Sequence, residues 1–161
     1  MNIVASIYDI SQIEKLNNLA THVLIPVQDF QSSKGLNLLD SIALCKTYGL
    51  KPILKMDGMI HEYMLEKFKN LILEYKSFDC LFYITDLGAA KILIDLGLVE
   101  RTIFNPNTLI TNYLDAKLYA NYGFDAISMS LEVTINDVIK TIELTKVNMF
   151  YLVFGHQLMF H

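Results

Sequence analysis

The sequence predicts an α/β fold: a TIM-barrel-like (βα) repeat of about seven parallel strands that stops short of a closed barrel. Three observations carry this. Short apolar runs of strand length alternate with segments of helical apolar spacing along the chain. The same joint recurs as Tyr48-Gly49-Leu50, Leu96-Gly97-Leu98 and Tyr122-Gly123-Phe124, with glycine where a helix stop needs a positive φ. The strand runs are apolar almost throughout, the pattern of a parallel sheet covered by helices. No GxGxxG or GxxxxGK[ST] follows the first strand, which removes the nucleotide-binding signature of the rival doubly wound sheet.

The elements follow in order. Residues 3–7 form the first apolar run, and Asp9 and Ser11 then stand as caps before a helix marked by Ile13, Leu16, Leu19 and Ala20. A second strand at 22–27 closes on Gln28 and Asp29, and the polar cluster at 31–35 reads as a loop. Leu38, Leu39, Ile42, Ala43 and Tyr48 give a second helix; a third strand starts at Pro52 and ends at Lys55, Met56 and Asp57. The longest helix covers 63–75, with Leu65, Phe68, Leu71 and Ile72 as its apolar stripe. A fourth strand at 80–84 runs into Thr85 and Asp86, and a helix at 89–96 and a fifth strand at 101–104 follow.

The most complete unit spans 103–132. Asn105-Pro106-Asn107 breaks its first strand, because proline cannot continue a ladder and asparagine favours turns. Asn112 stands at an N-cap position ahead of Leu114, Leu118 and Tyr122 at helical spacing. A sixth strand at 124–127 runs into Ser128, Ser130 and Glu132. Two strands joined by a helix imply parallel pairing through a right-handed crossover. Thr134 caps a sixth helix carrying Ile135, Val138, Ile139 and Ile142, and residues 149–154 are the seventh strand.

The 161 residues amount to one domain, a single partial barrel over 1–161. A closed eight-stranded barrel takes about 200 residues or more. The expectation is therefore a truncated barrel, or one whose missing strand comes from a partner, and two open sheet edges favour a homodimer. With 53% hydrophobic and 19% charged residues the chain has ample core and is too apolar for disorder. No apolar run approaches the roughly 18 residues of a membrane helix. The N-terminus lacks a basic region, and Asp9 and Glu14 arrive early, which argues against a signal peptide. No membrane partner and a cytoplasmic location are expected. Cys45 and Cys80, both amid apolar residues, read as reduced core thiols. A net charge of −4, with scattered lysines, offers no general pull on nucleic acid.

In barrels of this type functional groups gather at the C-terminal ends of the strands. Those ends supply Gln28 and Asp29, Lys55 and Asp57, Thr85 and Asp86, Asn105 and Asn107, Ser130 and Glu132, and His156. Several have a structural reading too. Asp86 can cap the helix beginning at Leu87, Asn107 and Asn112 suit a turn and a cap, and Glu132 can complement the dipole of the following helix. His156 and His161 lack a helical zinc-pair spacing, and His61 has no second histidine for an HExxH site. No GxSxG elbow is present and neither cysteine has a neighbouring histidine, so no conventional protease triad or metal set is visible.

Four blocks carry a resemblance: Asp86-Leu87-Gly88, the run from Asn105 to Asn112, the run from Tyr122 to Ile127, and the run from Ser130 to Ile135. Their order and spacing resemble the N-terminal barrel of the collagenase-like peptidase family, peptidase U-32. The segment from Val153 to His161 is similar to the lead into that family's signature. The likeness is by motif from about Leu81 onward and by pattern before it. It implies a hydrolase, a protease of unknown mechanism acting on peptide or protein substrates. Some members instead serve RNA hydroxylation or oxygen-independent quinone hydroxylation with iron–sulfur clusters. On such a barrel Glu132, His156 and Asp86 are the expected catalytic residues, with Glu132 as general base and His156 its partner or a ligand. Asn107, Asn112, Ser130 and Lys55 are the expected substrate-binding residues. The family's Ser-Arg-Glu reads Ser130-Leu131-Glu132 here, so the glutamate carries over and the arginine does not. The signature's cysteine falls at Met159 and its glutamate near Tyr151. Two cysteines cannot supply the ligands of an iron–sulfur cluster, so no cofactor is expected. Two other readings stand beside the enzyme: a non-catalytic subunit or inactive paralogue, and an RNA-modification factor that needs a partner or a longer chain.

Overall fold

The computed structural model describes residues 1–31, 34–107 and 109–155. The apolar runs become strands β1 (Val4–Ser6), β2 (His22–Pro26), β3 (Lys51–Met56), β4 (Leu81–Ile84), β5 (Thr102–Phe104), β6 (Ala126–Ser128) and β7 (Met149–Phe150). Between them lie α1 (Gln12–Lys15), α2 (Leu38–Thr47), α3 (Leu65–Tyr75), α4 (Leu87–Asp95), α5 (Tyr113–Ala120) and α6 (Ile135–Thr145). Every strand pairs in parallel with the next, so the order across the sheet is the order along the chain. Among the described residues β7 does not close onto β1, and the sheet forms the open half-barrel the alternation predicts. No helix of the described residues is long and apolar enough to cross a membrane.

Side chains fix where α2, α4, α5 and α6 begin. Asn37, Asp86 and Thr134 each accept a hydrogen bond from the backbone N–H three residues on, and Asn112 accepts from both Leu114 and Asp115. Each satisfies a donor that the first helical turn would otherwise leave unpaired. The repeated joint behaves as its sequence implies: Gly49, Gly97 and Gly123 have φ of 67°, 70° and 86°, a region where a Cβ would be strained.

Alternation along the strands divides the buried residues between two faces. Ile25, Leu54, Met56, Phe82, Ile84, Phe104 and Ile127 face the helices and meet Cys45, Phe68, Ile72, Leu93 and Val138 there. Leu24, Ile53, Leu81, Tyr83, Ile103 and Ala126 form a second cluster on the inner face, flanked by Val4 and Phe150. Register lines these inner residues up in rows. Pro26, Lys55, Tyr83, Ile103 and Ala126 stand side by side across five strands. Leu24, Ile53 and Leu81 form the row beneath, toward the strand N-termini.

Arg101 ties the helix layer to the sheet edge. Its guanidinium donates to the carbonyls of Lys76 (2.6 Å), Phe78 and Cys80 (2.7 Å from Nη2), just past the C-terminal end of α3. It also lies 5.3 Å above the centre of the Phe82 ring. Carbonyls freed by the end of a helix thus gain charged donors.

Four elements differ from expectation. The first helix is a single turn, because the chain turns left-handed at Asn18 (φ 62°) and leaves Leu19 exposed. β7 is two residues long, not six; it pairs with Ile127 and Ser128, and where β6 ends it has no ladder to follow, leaving Val153 and Phe154 exposed. In α5 the buried residue is Ala116, while Leu114, Leu118 and Tyr122 point outward. Likewise α6 buries Val138 and Thr141 and exposes Ile135, Ile139 and Ile142. A small residue facing the sheet lets the helix backbone sit close, and this outweighs the larger side chains on the other face.

Both cysteines are free and buried, as read from the sequence. Burial pushes the Cys45 thiol up to about 11 and raises that of Cys80, against which the neighbouring Arg101 works. The native protein is therefore expected to react with no thiol reagent near neutral pH, since only the thiolate attacks. Colorimetric thiol titration should read two equivalents only after denaturant is added, and any fast native reaction would contradict this packing.

Candidate functional site

The inner face is apolar at its base and polar toward the strand C-termini, where four side chains converge. Lys55, the fifth residue of β3, sends its ammonium 2.8 Å from Asp57 Oδ2 just past the strand end. Both side chains are largely sheltered, 28% and 17% exposed. Asp57 Oδ1 is buried and has no hydrogen-bond donor among the described residues. Such an oxygen carries a desolvation cost that its partner oxygen's ion pair does not remove.

Tyr83 stands beside Lys55 in the same row, on β4. Its hydroxyl accepts a hydrogen bond from Asn105 Nδ2, and its ring packs 5.4 Å from that of Phe150. Burial raises the Tyr83 hydroxyl well above the ordinary phenol range; the Asn105 hydrogen bond works against this and the Asp57 charge adds to it. The phenol therefore keeps its proton. Asn105 is itself held, because its Oδ1 accepts from the Asn107 N–H at 3.0 Å in a tight turn. The Asn-Pro-Asn break thus aims a side-chain amide at the inner face.

The residues expected from sequence are distributed differently. Lys55 lies in this cluster. Asp86 caps α4, accepting from Ala89 N–H at 2.9 Å, and Asn112 caps α5 while its Nδ2 donates to Asp115 at 2.7 Å. Asn107 is exposed at a positive φ of 58°. Ser130 is buried, with its N–H bonded to the Ile110 carbonyl and its Oγ accepting from Glu132 N–H. Glu132 is exposed on the rim after β6. His156 lies outside the described residues, as do His161 and Met159. At the other flank of the mouth, Asp29 is bound by Lys67 at 2.6 Å.

The sequence placed Asp57 and Asn105 among the strand-end groups without assigning either a role, and Tyr83 was missed. The signal for Tyr83 was alternation: Leu81 and Tyr83 share a face, so a hydroxyl is carried into the barrel interior.

The chemistry available here is that of a half-sheltered ion pair, a phenol donor and an amide. Among the described residues no three His, Cys, Asp or Glu side chains converge to hold a metal ion. The two thiols do not fit an iron–sulfur cluster: there are two where four are needed, and both belong to the core between sheet and helices. An apolar groove of about 240 Å³ lies elsewhere, between α4 and α5, lined by Leu87, Ala90, Ile94, Tyr119, Tyr122 and Phe124. Its single charged member, Lys91, is tied to Asp95, so it offers no comparable chemistry.

A model of peptidase family U32 matches residues 28–161. The fold is similar to that of the U32 peptidase Mk0906, with a TM-score of 0.73 at 12% identity, covering 94% of this chain and 68% of that one. It is also similar to a glycerophosphodiester phosphodiesterase from Parabacteroides distasonis, with a TM-score of 0.68 at 9% identity, covering 96% of this chain and 84% of the other. No curated protein matches the sequence. Two structures of such different chemistry share this barrel architecture, so at these identities they speak for the fold alone. The match over residues 28–161 speaks for descent: this chain belongs to peptidase family U32.

Proposed function

We propose that this chain acts in the hydrolysis of peptide bonds and holds its substrate across the C-terminal ends of β3 to β6. The observation that carries the reading is the Lys55–Asp57 pair set beside Tyr83 and Asn105 on the inner face, at the end of the barrel where such folds do chemistry. A mouth stripped of paired polar groups would have favoured an inert subunit. In this reading Glu132 on the rim is the general base, with His156 as its partner, and Asp86 orients the loop it caps. Asn107, Asn112 and Ser130 shape the substrate channel. The two free thiols suit a reducing compartment such as the cytoplasm.

The test is cleavage of an unstructured, fluorogenic peptide by the purified chain. Lys55→Met should lower turnover about tenfold, the worth of one lost charged hydrogen bond, with circular dichroism unchanged. Absence of wild-type cleavage, with or without added divalent metals, would overturn the reading.

A second reading has one specific observation behind it. Leu114 and Leu118 on α5, Tyr122 just past its end, and Ile135 and Ile139 on the neighbouring α6 are all exposed. Apolar area of this kind marks association surfaces, which supports a homodimer in which the chain serves as a structural subunit.

A further inference from the structure

Asp57 and Tyr83 each carry an unused hydrogen-bonding function on the same face. Asp57 Oδ1 is a buried acceptor with no donor among the described residues. Tyr83 already accepts from Asn105, but its own O–H has no acceptor among the described residues. Lys55, which holds Asp57 at 2.8 Å, is the register neighbour of Tyr83, so the two groups share one corner of the inner face. An unpaired acceptor beside an unpaired donor asks for a ligand that offers both functions at once.

Charge narrows the choice. Lys55 already neutralises Asp57 across 2.8 Å, so a second cation would bring repulsion from the ammonium along with its attraction. A full anion would face the carboxylate. A neutral group that donates one hydrogen and accepts another meets neither penalty. The Asn105–Asn107 turn fixes the amide that in turn fixes the phenol oxygen, so the donor is held in position before any ligand arrives.

We propose that Asp57 and Tyr83 form a clamp for one residue of an extended peptide: that residue's backbone N–H donates to Asp57 Oδ1, and its C=O accepts from the Tyr83 hydroxyl. This rests on the peptide reading above and adds the part of the substrate that is held. No bond is made or broken in it. Specificity would then be for backbone, not side chain, which suits a hydrolase acting on many sequences. Both groups are positioning and binding residues in this assignment.

The test uses two probes with no side-chain hydrogen bonds: acetyl-trialanine methylamide, and the depsipeptide in which the central N–H is replaced by an ester oxygen. Binding to the purified chain is followed by calorimetry or amide chemical shifts. The amide probe should bind about tenfold more tightly than the ester, because the ester sets an oxygen against Asp57. Tyr83→Phe should weaken both probes about fivefold and leave their ratio unchanged, because the phenol is assigned to the carbonyl. Equal binding of amide and ester, or no effect of Tyr83→Phe, would overturn the clamp while leaving peptide binding in place; that outcome would mean water satisfies the pair. Failure of the wild-type chain to bind either probe would remove the peptide reading and the clamp together. The ester comparison needs no variant, so a folding defect in Tyr83→Phe cannot shelter the proposal.

Discussion

With Glu132 as the proposed general base, peptide hydrolysis by the Glu132→Gln variant is expected to fall about 100- to 10,000-fold. Glutamine keeps the shape and the hydrogen-bonding reach of the side chain and removes its ability to take a proton. Glu132 is exposed on the rim after β6, its backbone N–H is anchored on Ser130 Oγ at 3.4 Å, and Ser130 is buried. The carboxylate is therefore exposed to solvent while its backbone is fixed. The urea midpoint should not move, since nothing buried is disturbed. Steady-state kinetics on the fluorogenic peptide decide the matter. A variant that retains full kcat would strip Glu132 of this role and leave Asp57 as the carboxylate to test next.

Phe104→Ala should cost about 3–5 kcal/mol, the range for truncating a fully enclosed aromatic. Phe104 is 0% exposed on β5. Its ring stacks on Phe124 at 5.0 Å and meets Tyr119 at 5.2 Å, joining the strand to α5 and to the start of the next strand. Alanine would leave a void that neither neighbour can fill without abandoning its own contacts. Against a total stability of about 5–15 kcal/mol this is a large share. The melting temperature should fall by about 10 °C for a chain of this size. Calorimetry checks it, with Phe104→Leu as the control that keeps most of the volume and loses far less. A loss below about 1 kcal/mol would mean that this corner of the core is loosely packed.

The sequence carried the architecture because its signals are local. The three helix–glycine–strand joints set the repeat, and Asn112, Thr134 and Asp86 mark helix starts by chemistry that acts within three residues. What escaped depends on partners far along the chain. Strands of a parallel sheet are buried on both faces, so Leu81 and Phe82 look alike in sequence although one faces the barrel interior and the other the helices. The side of α5 that docks is chosen by how closely Ala116 lets the helix approach, and leucines at regular spacing gave the opposite impression. The length of β7 is set by where β6 stops. The site is the plainest case. Lys55 and Tyr83 meet because β3 and β4 pair in one register, and a shift of one residue would turn Tyr83 toward the helices.

A consequence for how the chain reaches this state follows from the strand order. Every strand lies beside the strand that precedes it in the chain. Each pairing therefore closes a loop only one strand–helix unit long, and no segment waits for a distant partner. Each closure carries a similar, modest loop entropy, although a parallel sheet built this way forms more slowly than a helical bundle of the same size. During synthesis the β1–β2 unit can dock while later units are still on the ribosome, and each emerging strand finds a finished edge to join. Growth is templated from one side. In the reverse direction the two-residue β7, an edge strand with a ladder on one side, is the strand expected to peel first, so brief opening of the structure begins beside Phe150 and reaches Tyr83 next.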